Sequence, residues 1–428
     1  MGNEGSSFQP HAGISKQEIE SLQKTFPQKP ATNLWRSWTN VFEQEQISNI
    51  EKSLRNKAGV ITFQSYQQLF GDVAKGDINK KIAFLLLIVG KPATAEVNTE
   101  ILKDSLILLS KAFVKASLKN NAFLLFNDGD ETKISYSLLH DLIFKNEKRK
   151  VTFSKDPSIE NSVAIEDIEN LLIKVPLIES LLASVLSSCF QMKISNTAVI
   201  PSVPQDTKTS LSLLQVVFLN SHLPHEHRHV WRPLFNTDTD GESFSKFAGA
   251  ITRQGPTIIV ITDEVGNVFG GFATDAWKMG PKFVGKPESF LFHLHPKMNV
   301  YDSTPFNNNY QYFNLKQKTM PNGLGMGGQL DYFGFWIDNE FGLVKTAPSC
   351  STYHSPQLGE LEGKIRRLEV FGVGELSEDD LEAGPSVLDL DPEAQAVLEM
   401  MGKTFHSKVI REVDEEEEKK KEMEEKFK

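Results

Sequence analysis

The sequence predicts an α+β protein: an all-helical N-terminal half, a β-rich second half and a helical C-terminal extension. Three observations predict it. Apolar residues recur at helical spacing from Ser15 to about Gln191, with glycine and proline sparse inside the periodic stretches. After Ser195 proline, threonine and glycine rise, and short apolar segments alternate between glycine and asparagine turns. Beyond Gly374 the chain turns acidic and helical again. The expected organisation is a flexible start over 1–14, a helical domain over 15–194, a linker over 195–210, a β domain over 211–374 and a helical arm over 375–428.

Within the helical half, ILKDSLILLSKAFVKASL places Leu102, Leu106, Leu109, Phe113 and Leu118 on or near one stripe. IAFLLLIVG, Ile82 to Gly90, is about half the length a bilayer span needs and reads as a buried helix. IEDIENLLIKVPLIESLLASVLSSCF reads as two apolar helices broken near Pro176, which cannot extend the hydrogen bonding upstream of it. VIPSVPQDTKT then reads as the linker.

In the β half, TIIVITD, the turn EVGN and VFGGFAT form a predicted hairpin. SFLFHLHP alternates Phe290, Phe292 and Leu294 against Leu291, His293 and His295. YFGFWID and KIRRLEVFGVG add two strands, and the whole suggests two packed antiparallel sheets with a few helices around them. At the C-terminal end Asp391 is a natural N-cap, Pro392 fits the first helical turn and Gly402 the stop, with Ala394, Val397, Leu398 and Met401 on one stripe. That stripe needs a partner surface, as do Val409, Ile410 and Val413 at the start of the charged tail, where Glu415–Lys419, Glu416–Lys420 and Glu417–Lys421 have helix-supporting spacing.

The formal charge of -10 argues against broad phosphate neutralisation, so no nucleic-acid partner is expected. Cys189 and Cys350 lie far apart in dissimilar contexts, which fits two free thiols. MGNEGS exposes Gly2 after Met removal, with Ser6 at the position that fits N-myristoylation; one such chain gives marginal membrane binding and calls for a second contact.

Catalytic and metal motifs are tested in turn. Gly323, Gly325 and Gly328 of PNGLGMGGQ have dinucleotide-fingerprint spacing, but a strand follows where the pyrophosphate-binding helix should start, so Gly323, Gly325, Gly327 and Gly328 are expected to form a structural loop. His222, His225, His227 and His229 cluster around Pro224; a helix starting there puts His225 and His229 on one face without His227, which describes a solvated surface helix rather than a zinc site. His293 and His295 pair along one strand without an evident third ligand. Cys350 and His354 in SCSTYH lack an orienting third residue. TDTDGES has no bidentate glutamate at the twelfth loop position. NKAGVITFQSYQQLF has EF-hand shape around Gly59 but Leu54 and Ser65 at the first and last ligand positions, and NDGDETKISYSLLHDL has Leu138 in place of the terminal glutamate. No catalytic residue, metal or cofactor is expected.

GPTIIVITDEVGNVFGGFATDAW, with HLPHEHRHVWRPLFNTDTDGESFSKF before it and FLFHLHP and PNGLGMGGQLDYFGFWID after it, resembles the TLDc domain of oxidation-resistance proteins over roughly Leu211 to Gly374. The resemblance implies a β-sandwich flanked by helices, in which Gly270 and Gly271 are close-packing or bulge positions rather than a ligand cradle. Together with MGN, the degenerate EF-hand-like domain and DPEAQAVLE, the chain is similar to a myristoylated, mTOR-associated branch of that family. That similarity implies a non-enzymatic protein with Gly2 as acyl acceptor, in the cytoplasm and on the cytosolic face of the lysosomal membrane. The implied partners are vacuolar ATPase subunits and mTOR complex components, with the helix after Asp391 as the ATPase-contacting arm. The alternative it leaves open is oxidative-stress protection through a redox-active centre, for which Cys350 is the visible candidate.

Overall fold

The computed structural model describes residues 13–26, 36–94, 96–117, 162–315 and 319–376, with isolated positions between 131 and 139. By contact the chain divides into two units, Met1–Glu375 and Leu376–Lys428; the second lies outside the described residues except for Leu376. The expected helical arm beyond Leu376, with its apolar positions, and Gly2 and Leu118 fall outside them too, as does most of NDGDETKISYSLLHDL.

The helical part begins with α1 (Lys16–Thr25), α2 (Arg36–Thr39), α3 (Gln44–Leu54), α4 (Phe63–Phe70) and α5 (Ile78–Ile88). Their starts are set locally. Ser15 and Glu18 form a reciprocal capping box at α1, Thr62 and Ser65 do so at α4, and Asp77 caps α5 through the Lys80 amide. Helix α6 (Thr99–Ser117) buries Leu102, Leu106, Leu109 and Phe113, the stripe read from the sequence. Helices α7 (Ile165–Lys174) and α8 (Pro176–Phe190) meet at 86°, with Pro176 at the start of α8, where its missing N–H costs nothing. No single helix among the described residues is long and apolar enough to cross a membrane. Phe190 closes this half, its ring 5.1–5.2 Å from those of Trp38, Tyr66 and Phe70. Strands β1 (Glu96–Asn98) and β2 (Ser162–Ala164) pair antiparallel immediately before α6 and α7.

After α8 the segment 195–210 carries no helix or strand yet is held along its length. Asn220 of α9 (Leu213–His222) donates to the Val199 and Arg228 carbonyls and accepts from the Trp231 indole, and Ser202 bridges to Val230. At its end the carboxylate of Glu369, 1 % exposed, accepts from the Thr209 hydroxyl and from both the amide (2.9 Å) and hydroxyl of Ser210.

The β half contains β3 (Trp231–Asn236), α10 (Thr237–Asp240), α11 (Phe244–Ile251), β4 (Thr257–Asp263), β5 (Val268–Ala273), β6 (Phe290–His295), β7 (Asn299–Tyr301), β8 (Gln311–Asn314), β9 (Gly323–Met326), β10 (Phe335–Asp338), β11 (Leu343–Thr346) and β12 (Glu362–Val373). All the strands from β3 to β12 join one antiparallel array, ordered β7-β6-β5-β4-β12-β11-β10-β9-β8, with β3 also on β12. Twelve-residue β12 is the seam. One edge pairs with β4 along most of its length, with a register shift between Ile365 and Arg367; the other pairs first with β11 and then with β3, with a register shift between Val370 and Phe371. The array folds about this seam so that its two halves face each other, which is the sandwich expected from the sequence.

The period-2 alternation sorts side chains into two cores. Ile259 and Ile261 of β4, Leu291 of β6 and Val370 of β12 point into the sandwich, against Leu324, Met326, Phe335 and Ile337 of the facing half. Ile258 and Val260, Phe290 and Phe292, and Phe371 and Val373 point the other way, into a core continuous with α3–α9. The unbroken apolar run TIIVITD reflects this burial on both faces.

Candidate interaction surface

Glycine builds the middle of the sandwich. A Cβ on Gly270 would sit 1.8 Å from the Ile259 carbonyl oxygen, and one on Gly271 would sit 2.5 Å from Met326 Sδ, so these two positions set the strand and sheet spacings. Neither is at a bulge; the irregularity between β5 and β6 falls at Val268/Phe269.

Of the four glycines expected to form a loop, Gly327 and Gly328 lie in a turn, but Gly323 and Gly325 lie in strand β9, and this corrects the sequence reading for those two. Glycine lowers strand propensity, so GLGM reads as a loop. What fixes the strand is its neighbours: β9 pairs on both sides, with β8 and β10. A Cβ on Gly323 would meet the Trp336 ring at 2.5 Å, and one on Gly325 would meet Phe333 at 2.7 Å and Trp336 at 2.8 Å. Phe333 and Trp336 stack at 4.4 Å over this bare strand, joined by Tyr312 and Phe283.

Past β9, Gly327 (φ 75°) and Gly328 (φ 78°) turn the chain into a two-residue hairpin, closed by reciprocal backbone bonds of Gln329 and Tyr332 at 2.9 and 3.1 Å. Thr352 ties this turn to two other loops. Its hydroxyl accepts from the Gly328 amide (2.8 Å) and donates to Asn307 Oδ1 (2.7 Å), while Asn309 donates to the Gly328 carbonyl (2.8 Å) and the Thr304 amide to the Thr352 carbonyl (2.7 Å). The loops 302–309, 327–332 and 349–354 are thus one hydrogen-bonded rim. They present Phe306, Tyr332 and Leu330 at 81 %, 55 % and 36 % exposure. Sequence reading missed these three; the available signal was a large apolar residue inside polar turn segments, PFNNN and QLDY.

Among the described residues the candidate catalytic and metal-binding side chains do not converge on one site. Burial pushes the Cys350 thiol up, and backbone donors from Tyr353, Thr352 and Gly328 offset part of that, an environment opposite to that of a reactive thiolate. His354 is exposed. Cys189 is buried in α8, which raises its thiol as well. The predicted helix after Pro224 is a single 3-10 turn, His225–His227, a correction whose reason is Ser202 and Val230 drawing the chain into an extended bridge within three residues. Its expected solvated set is also divided. His225 and His229 rings lie 5.8 Å apart, but His222 is half-buried between Phe218 and Phe290, and its Nε2, shielded from solvent, meets no hydrogen-bond partner among the described residues. Burial, then the charge of Arg228, lowers its pKa to about 4. His293 engages both nitrogens: Nε2 donates to the Leu358 carbonyl, leaving Nδ1 to accept from the Tyr301 hydroxyl at 3.0 Å. No group of three metal-ligating side chains occurs among the described residues.

A hydrogen-bonded rim with exposed apolar tips has the character of a binding surface. The chain is 41 % identical over 281 residues to MTOR-associated protein MEAK7 of Xenopus laevis, covering 62 % of this chain and 61 % of that protein. It is 42 % identical over 261 residues to the Homo sapiens protein of that name, covering 58 % and 57 %. Matching thus spans about three fifths of these relatives' length. Oxidation resistance protein 1 of Bos taurus is 28 % identical over 150 residues, 35 % of this chain and 16 % of that protein. Residues 205–374, which hold α9, the strands β3 to β12 and the rim just described, match the TLDc domain family, and the chain carries a TLDc domain.

Proposed function

We propose that this is a non-enzymatic regulatory protein of mTOR signalling, tethered to the cytosolic face of the lysosomal membrane through an acyl chain on Gly2. In this reading it binds the vacuolar proton-pumping ATPase through its TLDc domain and the helix after Asp391. The observation that carries the signalling role is the 41 % identity over 281 residues to a protein named for its association with mTOR. The ATPase and the membrane enter through the family resemblance and the MGNEGS start. The test is a pull-down from solubilised lysosomal membranes with the full chain and with a chain ending at Gly384. Capture of ATPase subunits by the first and much weaker capture by the second is expected; no capture by either removes the ATPase from the reading. Gly2→Ala is expected to move the protein from the membrane to the soluble fraction, and unchanged fractionation removes the anchor.

The likeness to an oxidation resistance protein favours one other reading, protection through a redox-active thiol. The raised thiol of Cys350 speaks against it. Peroxide consumption by purified protein that disappears in Cys350→Ser would establish it.

A further inference from the structure

We infer that the rim carrying Phe306, Leu330 and Tyr332 is the TLDc domain's docking edge, and that it inserts into an apolar slot of a protein partner flanked by lysine or arginine. The inference rests on the proposed ATPase reading and adds to it a surface and the chemistry of the surface it meets.

Two features of the rim select a protein as the occupant. The first is preorganisation. The three tips stand on loops joined by the Thr352, Asn307 and Asn309 hydrogen bonds and by the closed Gln329–Tyr332 turn. Apolar tips on backbone already held by hydrogen bonds lose less freedom on docking than tips on a free loop, and aromatic anchors on such a base dominate protein interfaces.

The second is charge. Loops 302–309, 327–332 and 349–354 contain no lysine or arginine, and they expose the carboxylates of Asp302 and Asp331 beside the apolar tips. The adjoining segment, reached through the Ser303 bond to the Pro287 carbonyl, brings Lys286 and Glu288, of opposite sign, with Lys286 3.7 Å from Asp275. An anionic bilayer or a nucleic acid is repelled by such an edge, whereas a basic protein rim is attracted and placed in register by it.

The experiment uses the full chain and detergent-solubilised lysosomal membranes, reading ATPase subunits. The variants are Phe306→Ser/Leu330→Ser/Tyr332→Ser, Asp331→Lys, and Val265→Ser as an exposed apolar control in the β4–β5 turn. Unchanged thermal midpoints establish that all are folded, since every substituted side chain is exposed. The triple variant is expected to need at least tenfold more protein for half-maximal capture. Asp331→Lys is expected to weaken capture several-fold at low salt and less at high salt, and Val265→Ser to match the parent. Capture by the triple variant equal to the parent overturns this inference and leaves the ATPase reading standing; absence of capture by the parent itself overturns both. Phosphatidylserine vesicles are the second probe, and sedimentation with them that the parent shows and the triple variant loses overturns the inference in favour of a lipid surface.

Discussion

Gly325 and Trp336 are register partners across β9 and β10, and the indole occupies the space a side chain on Gly325 would need. Gly325→Ala would place a methyl 2.8 Å from the Trp336 ring and 2.7 Å from Phe333. Overpacking of this kind costs about 1–3 kcal/mol. Urea melts should show that loss, and Gly325→Ala/Trp336→Leu should recover part of it, because the obstructing ring is gone.

Gly270 and Gly271 are neighbours with different tolerances. Added atoms at Gly270 meet the Ile259 carbonyl of the adjacent strand, backbone that cannot move without breaking the β4–β5 ladder. At Gly271 they meet the Met326 thioether and a Leu291 methyl, which shift more easily. Gly270→Ala is expected to cost about 4 kcal/mol or to abolish soluble expression, and Gly271→Ala about 1–3 kcal/mol. Equal effects in parallel melts would contradict the two geometries.

Glu369 holds the end of segment 195–210 to β12. Glu369→Ala leaves the Thr209 and Ser210 donors without their acceptor and is expected to destabilise by about 3 kcal/mol. Limited proteolysis should then cut between 195 and 210 sooner than in the parent. Equal cleavage times would mean that the Asn220 and Ser202 contacts hold the segment alone.

His222 gives the fold a dependence on acid. In the unfolded chain its imidazole takes a proton below about 6.5, in the fold below about 4. Between these values the unfolded chain binds more protons, so His222 withdraws stability as the pH falls from 6.5 to 4, by about 3 kcal/mol in all, and has no such effect above that window. His222→Phe, which suits a site between Phe218 and Phe290, should flatten the stability profile there and leave it unchanged at pH 8. Parallel profiles for the two proteins would show that the imidazole stays solvated.

Much of the fold was legible because it obeyed local rules. The alternation of FLFHLH and the α6 stripe show their periods, TIIVITD reads as a strand from its β-branched apolar run, and Pro176 marks a helix start by what its nitrogen lacks. What escaped was decided by residues distant in sequence. GLGM is a strand because Trp336 and Phe333 lie on it, and no propensity scale applied to those four residues contains that. The segment after Pro224 is drawn out by Ser202. Glu369 reads as one more charge in KIRRLEVFGVG, and its burial depends on donors some 160 positions away. Phe306, Leu330 and Tyr332 were passed over because their exposure arises from three loops meeting.

Strand β12 belongs to both halves of the sandwich and, through Phe371 and Val373, to the helical core as well. Its amides therefore cannot exchange with deuterium by fraying of one half alone; opening β12 detaches β4, β11 and β3 together. Slow exchange should accordingly run through β4 and β12 with a common free energy close to that of global unfolding, while the amides of α1 and the β7 edge exchange through smaller openings. A chain cut down to 205–374 would lose α1–α8 from one wall of that seam and should exchange faster there even where its strands persist.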